Sequence, residues 1–206
     1  MLLQLLRLHN VLLIENKKQR SQRHYMEDAL IISKFANEST REEAFNHLLT
    51  KYQQKIYWHV RRMVIDHDDA DDVVQDIFIK VWRNLANFRE DSQLYTWLYR
   101  IATNECITFL NKKKLKQNVS LDDDSSAYLA DSLSSGSYFS GDKAQMKLQQ
   151  ALLTLPEKQK LVFNMKYFDD MKYDEISQVL GTSVGALKAS YHLAVKKIEA
   201  FFHNND

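Results

Sequence analysis

The sequence predicts an all-α protein of two small helical domains joined by a flexible acidic linker. Only four glycines and one proline occur in 206 residues, too few for a sheet protein with many tight turns. Apolar residues recur instead at the spacing of amphipathic helices. A hydrophobic content of 45% is enough for packed cores. The single cysteine, Cys106, excludes an internal disulfide and a cysteine-rich zinc site.

Residues 1–25 are predicted to be an N-terminal extension outside the functional domains. Gln4, Arg7 and His9 interrupt its leucine-rich start, and no basic region or small-residue cleavage site marks it as a signal peptide. The apolar run is also shorter than the roughly 20 residues that span a bilayer. These features favour a start codon assigned too early, with Met26 beginning the functional chain. Sparse cysteine usage indicates a reduced, cytoplasmic location.

The first predicted domain covers residues 26–116. About four helical segments are expected between Glu42 and Lys114, with breaks near Ile65–Asp69 and Asn87–Gln93. The clearest helix is Asp68–Trp82, because its apolar residues recur at helical spacing and mark one buried face. That face consists of Ala70, Val73, Val74, Ile77, Phe78, Val81 and, just beyond the helix, Leu85.

The same helix carries an acidic strip on a second face, formed by Asp72, Gln75, Asp76 and Ile79. Carboxylates repel DNA phosphates, so the strip is expected to meet a basic protein surface, with Ile79 supplying an apolar contact. The alternative is an ordinary solvated helix face, which is what most charge runs form.

The next helix is rich in aromatic side chains. Tyr95, Trp97 and Tyr99 fall within five residues and cannot all point into a core, so at least one is expected to be exposed. An exposed aromatic ring near cations can stack on an unpaired base. The structural alternative places the rings in the core, and Trp97 fits it best. Tyr95, Tyr99, Arg100 and Asn104 are therefore the first residues to test.

A flexible acidic linker is predicted over residues 117–143. Leu121–Ser126 and Ser132–Ser137 contain no lysine or arginine, and their serine, glycine and aspartate residues show no periodicity. The second domain is predicted over residues 144–206.

The second domain has the pattern of a helix-turn-helix. A short helix, Tyr173–Leu180, ends at Gly181, and a second helix begins at Val184 after a cap at Thr182 or Ser183. In this arrangement the second helix normally enters the DNA major groove. The alternative is a plain helical hairpin within a bundle.

These segments, in this order, resemble the extracytoplasmic-function group of the sigma-70 family of bacterial RNA polymerase sigma factors. The segments that carry the resemblance are Asp69–Trp82, Thr96–Asn104, Leu155–Gln159, Tyr173–Ile176 and Gly181–Lys188. The resemblance implies binding to the beta-prime clamp helices and beta flap of core RNA polymerase, and recognition and melting of promoter DNA. It also implies an anti-sigma factor as a partner, and no cofactor, metal or small-molecule substrate.

Three groups of site residues follow from the resemblance. The core-polymerase group is Asp72, Gln75, Asp76 and Ile79. The minus-ten DNA group is Phe88, Arg89, Tyr95, Trp97, Tyr99, Arg100, Asn104, Lys112 and Lys113. The minus-thirty-five DNA group is Thr182, Ser183, Val184, Gly185, Ala186, Lys188, Ala189 and His192.

Two other functions compete with that of a sigma factor. A stand-alone helix-turn-helix regulator would bind duplex DNA without polymerase, and would not need the acidic strip. An enzyme is suggested only by the acidic cluster that follows His67. No phosphate-binding glycine loop or nucleophile motif accompanies that cluster, and carboxylates at a helix start are favourable without any catalytic role. The chain is therefore predicted not to be an enzyme.

Overall fold

The computed structural model describes residues 26–119 and 143–204. The predicted N-terminal extension and most of the predicted linker lie outside the described residues. Within the described ranges the secondary structure consists of α-helices and short 3-10 turns without a strand, which confirms the all-α prediction.

The first module, residues 26–119, contains four α-helices. The last of them, α4 (Leu94–Val119), continues past the predicted domain boundary at residue 116. The helices are α1 (26–35), α2 (Arg41–Val64), α3 (His67–Asn84) and α4 (Leu94–Val119), with 3-10 turns at Glu38–Thr40 and Leu85–Asn87.

Helix α3 packs its predicted apolar face into the core of the first module, and all seven residues of that face are buried. The break before α3 falls at Ile65, a buried β-branched residue with a φ of 73°. This backbone conformation costs such a residue on the order of 1–3 kcal/mol. Asp66 then begins α3, since its side chain accepts a hydrogen bond of 3.0 Å from the Asp69 amide.

The second module, residues 143–204, contains the predicted helix-turn-helix. Helix α7 (Tyr173–Leu180) ends at Gly181, which has a φ of 62°, and the Gly181 amide donates to the Ser177 carbonyl at 2.9 Å. The Glu175 carboxylate accepts from the Lys172 amide at 2.7 Å and so stabilises the start of α7. The helices of this module are α5 (Lys143–Leu153), α6 (Glu157–Tyr167), α7 (Tyr173–Leu180) and α8 (Val184–Asn204).

The two modules pack against each other. Helix α4 lies against α7, and α2 lies against α6. Met165, Met171 and Ile176 of the second module belong to the same hydrophobic cluster as the core of α2, α3 and α4. A separate, smaller cluster joins α5, α6 and α8. The sequence predicted two tethered domains but not this contact, and the predicted domain boundaries stay predictions.

Candidate polymerase and nucleic-acid surfaces

The acidic strip on α3 is exposed. Asp72, Gln75 and Asp76 all lie on the solvent side of the helix, and the Ile79 side chain is 43% exposed. No described side chain forms an ion pair with Asp72 or Asp76. The strip is therefore available to a partner, although its role stays a prediction.

Trp82 extends this surface and was missed as a site residue by the sequence reasoning. It remains 37% exposed while its ring packs edge-on against Phe35 at 5.2 Å and Phe45 at 4.9 Å. Trp82 follows Ile79 by three residues, so the two share a helix face. That spacing was the signal that could have identified Trp82 from sequence.

The loop between α3 and α4 borders a cavity of about 710 Å³. Phe88 anchors the loop, since its ring lies 5.2 Å from the half-buried Trp97 ring. Arg89 is exposed and its Nε lies 3.5 Å from an Asp91 carboxylate oxygen. The cavity reaches from the first module to the second and has an acidic lining, which includes Asp28, Glu90, Asp174 and Glu175.

Tyr99 is buried, contrary to the expectation that it offers an exposed ring. It is 1% exposed, and its ring centre lies 4.8 Å from that of His59 and 4.4 Å from that of Tyr95. Burial, followed by the nearby Asp169 carboxylate, raises the pKa of the Tyr99 hydroxyl. In this arrangement Tyr99 cannot stack on a base.

Two more residues of the predicted minus-ten group are held by the second module. The half-buried Tyr95 donates from its hydroxyl to the Asp169 carbonyl at 3.2 Å. Arg100 is exposed but donates to the Gln178 carbonyl at 2.9 Å. Burial raises the pKa of the Tyr95 hydroxyl above its ordinary value.

The other α4 residues of the predicted minus-ten group also differ in exposure. Asn104 and Lys112 are exposed, whereas Lys113 forms an ion pair with Asp69 of α3. Asn104 and Lys112 are therefore open to solvent in this arrangement.

A buried charged cluster joins the modules at Asp169. The Asp169 side chain is 3% exposed, and Oδ2 lies 2.9 Å from Nδ1 of His59, which has no exposed side-chain surface. The other carboxylate oxygen accepts from Arg62. Nε2 of His59 lies 3.1 Å from the Thr103 hydroxyl.

Sequence reasoning missed this cluster. A histidine and an arginine three residues apart on α2 lie on one helix face, and this spacing was the only signal. Asp169 carried no such signal, because an acidic residue in a turn is usually solvated.

The predicted minus-thirty-five residues lie together at the start of α8. The Ser183 hydroxyl accepts from the Ala186 amide at 3.4 Å, while Thr182 donates to the Leu180 carbonyl at 3.3 Å. Val184 is partly buried. The exposed members are Ser183, Gly185, Ala186, Lys188, Ala189 and His192.

No group of three or more metal-ligating side chains occurs within residues 26–119 and 143–204. Among the helices of the described part of the chain, none combines the length and the apolar character that crossing a membrane requires.

Comparison with known proteins identifies both modules. The Sigma-70 region 2 family model matches residues 48–115, and the Sigma-70, region 4 model matches residues 145–198. The chain is 32% identical over 165 residues to the RNA polymerase sigma-H factor of Pseudomonas aeruginosa, covering 77% of this chain and 86% of that protein. The chain belongs to the extracytoplasmic-function group of the sigma-70 family.

Two further relatives of this sigma factor carry the group's name. The ECF RNA polymerase sigma factor SigW of Bacillus subtilis is 32% identical over 158 residues, covering 73% of this chain and 84% of SigW. The ECF RNA polymerase sigma-E factor of Escherichia coli is 30% identical over 168 residues, covering 77% and 86%. The resemblance drawn from the sequence is thereby confirmed.

Solved structures show the same fold. CnrH in complex with the cytosolic domain of CnrY has a TM-score of 0.64 at 23% identity, covering 87% of this chain and 99% of CnrH. The sigma factor RpoE in complex with the anti-sigma factor NepR from Bartonella quintana has a TM-score of 0.64 at 20% identity, covering 77% and 96%.

Proposed function

We propose that this sigma factor binds core RNA polymerase and directs promoter recognition, DNA melting and transcription initiation. One observation carries the proposal: region 2 and region 4 occur in order in a chain that spans 86% of a curated RNA polymerase sigma factor. Sigma factors are initiation factors and not enzymes, in agreement with the sequence prediction.

The acidic strip on α3 is the proposed polymerase-binding surface. Asp72 and Asp76 suit a basic partner surface, and Ile79 with the neighbouring Trp82 gives an apolar centre. A charged rim around an apolar contact is the usual composition of a protein interface. The beta-prime clamp helices are the proposed partner here, and the beta flap is the proposed partner of the second module.

The loop after α3 and the face of α4 are the proposed minus-ten surface. Asn104 and Lys112 are accessible as the structure stands. Tyr95 and Arg100 donate hydrogen bonds to main-chain carbonyls of the second module, so their contact with DNA requires these hydrogen bonds to break. Tyr99 is buried and would have to be uncovered first. The exposed start of α8, with Lys188 and His192, is the proposed reader of duplex minus-thirty-five DNA.

An anti-sigma factor is a further proposed partner. The RpoE structure of similar fold contains the anti-sigma factor NepR, which supports a partner of this kind. We place the protein in the cytoplasm, where RNA polymerase and its promoters are found.

The first prediction tests polymerase binding. Reversing the charges of Asp72 and Asp76 with the double change Asp72→Lys and Asp76→Lys should lower core-polymerase affinity at least tenfold, because it places like charges against a basic partner. Run-off transcription with purified core polymerase over a genomic promoter pool should fall in parallel. Binding is measured by fluorescence anisotropy of the labelled sigma factor.

The matched control is the double change Glu38→Lys and Glu42→Lys, which alters net charge equally at exposed positions outside α3. It should leave both readouts near wild type. Unchanged core-polymerase binding by the Asp72→Lys, Asp76→Lys variant would contradict the proposal that the acidic strip binds polymerase. Duplex binding by the wild type without any core binding or initiation would instead support a stand-alone regulator.

A further inference from the structure

We propose that a cavity between the two modules binds a small planar aromatic anion, that is, an aromatic ring that carries a phosphate or a carboxylate. This seam cavity has a volume of about 650 Å³ and is lined by Lys55, Trp58 and Arg62 of the first module and by Phe168 and Lys172 of the second, among others. Small-molecule sites typically have volumes of about 300–1,000 Å³, with aromatic walls and a few polar groups. The inference goes beyond the proposed function and does not depend on polymerase or promoter binding.

Helix α2 supplies one wall of the seam cavity. Lys55, Trp58 and Arg62 follow one another at intervals of three and four residues, which places them along one face of the helix. The start of α4 adds Tyr95, and the segment between α6 and α7 adds Phe168. Because both modules build the walls, a ligand in this cavity would contact both of them.

The aromatic side chains of the seam cavity suit a flat ring. Trp58, Tyr95 and Phe168 are each partly exposed, so their rings are not used up by packing in the core. Tyr95 is fixed by the hydrogen bond from its hydroxyl to the Asp169 carbonyl, and Phe168 lies against the Arg62 guanidinium. Aromatic rings favour offset or edge-on contacts with one another, and Trp58 offers the largest ring for such a contact.

An unsatisfied guanidinium nitrogen of Arg62 indicates the charge of the ligand. The guanidinium contacts the Asp169 carboxylate and the Phe168 ring, but its Nε is buried and has no hydrogen-bond partner among the described residues. A buried donor without an acceptor is costly, and more so on a charged group. A ligand oxygen would remove this cost, and guanidinium groups bind phosphate and carboxylate oxygens especially well.

The charges that line the seam cavity also favour an anion. Of its three carboxylates, Asp169 is already in an ion pair, and Glu175 accepts from the Lys172 backbone amide at 2.7 Å. The ammonium groups of Lys55 and Lys172 are exposed, and neither forms an ion pair with a described carboxylate. Two uncommitted cations therefore outnumber one uncommitted carboxylate, the exposed Asp170.

Isothermal titration calorimetry with the full chain tests the site. Adenosine monophosphate and indoleacetate each carry a ring and an anionic group, and they distinguish a nucleotide from an aryl carboxylate as the source of the ligand. Their components are adenosine with ribose phosphate, and indole with acetate. We expect at least one of the two aromatic anions to bind at least tenfold more tightly than either of its components. Binding of neither, or equally tight binding of a component, would overturn the proposal.

Substitutions in the seam cavity separate the roles of ring and charge. Trp58→Ala should weaken binding of the aromatic anion about tenfold, whereas Trp58→Phe should retain most of it, because phenylalanine still offers a ring. The double change Lys55→Gln and Lys172→Gln should weaken binding of the anion about fivefold and leave its uncharged component unaffected. The matched control is Lys158→Gln with Lys197→Gln, which removes two charges at exposed positions outside the cavity. Equal losses in both double variants would overturn the site.

Nuclear magnetic resonance locates the bound ring. The chain has three tryptophans, so single Trp→Phe substitutions assign the three indole N–H signals. We expect the tighter-binding aromatic anion to shift the Trp58 signal more than those of Trp82 and Trp97. A shift confined to Trp82 or Trp97 would place the ligand elsewhere and overturn the proposal. The lysine variants keep the proposal falsifiable if Trp58→Ala fails to fold, because both lysines are exposed.

Discussion

At the scale of single residues, burial decides which side chains can react. Cys106 has no exposed surface in α4, and burial raises the pKa of its thiol to about 12. The reactive thiolate is the form that burial disfavours, so it is scarce at any pH below that value. Tyr99, on the same helix, shows the parallel effect on an aromatic hydroxyl.

Cys106 should therefore resist Ellman's reagent in the native protein at mildly alkaline pH. In denaturant the reagent should titrate one thiol per chain, the single cysteine of the sequence. The labelling rate should follow the fraction of unfolded protein as denaturant is added. Rapid labelling without denaturant would show that α4 opens locally around Cys106.

At the scale of elements, the turn between α7 and α8 sets the geometry of the helix-turn-helix. Gly181 has a φ of 62°, which L side chains adopt at a cost, although a Cβ there would meet nothing within 4 Å. The cost of a side chain at Gly181 is thus backbone strain alone. Gly185, in the first turn of α8, also has open space around it but no positive φ.

Gly181→Ala should lower the free energy of unfolding by about 1 kcal/mol, because alanine disfavours the left-handed region by roughly 1–2 kcal/mol. Gly181→Asn should cost less, since asparagine tolerates that conformation. Gly185→Ala is the control and should be neutral or stabilising by up to about 1 kcal/mol. Urea unfolding followed by circular dichroism measures all three. Equal effects at both glycines would contradict the backbone explanation.

The sequence predicted elements better than the contacts between them. Periodicity identified the buried face of α3, and the glycine with its neighbouring hydroxyls identified the turn before α8, because both signals are local. Burial of Tyr99 and Asp169 could not be predicted, because both pack against His59, which lies far from each of them in the chain. The continuation of α4 to Val119 was also missed, since the lysine-rich stretch before it has no apolar periodicity.

At the scale of the whole molecule, the equilibrium between packed and separated modules affects the binding of every proposed partner. A ligand that binds only separated modules shifts the population toward them, and the linkage is reciprocal. We expect core polymerase to be such a ligand, because the proposed contacts lie on α3 and on the second module. The apolar contact through Met165, Met171 and Ile176 opposes separation of the modules, together with the ion pair between Asp169 and Arg62.

Spin labels at Gln54→Cys and Lys196→Cys, both exposed positions, report the separation of the modules in a Cys106→Ala background. Adding core polymerase to this labelled protein should lengthen the distance between the labels. The shift should require the acidic strip, so the Asp72→Lys, Asp76→Lys variant should stay closed at the same polymerase concentration. The Asp169→Asn variant should bind polymerase more tightly, because separating its modules costs less free energy. A closed distance in a complex shown to contain polymerase would contradict this linkage.

The acceptors for Tyr95 and Arg100 are main-chain carbonyls, those of Asp169 and Gln178. Every amino acid supplies a carbonyl at its position, so substitutions at residue 178 that preserve α7 leave that hydrogen bond intact. The side chain of Asp169 contributes a contact that one codon change can remove. The packing of the modules is therefore more sensitive to substitution at Asp169, whose side chain makes the contact, than at Gln178.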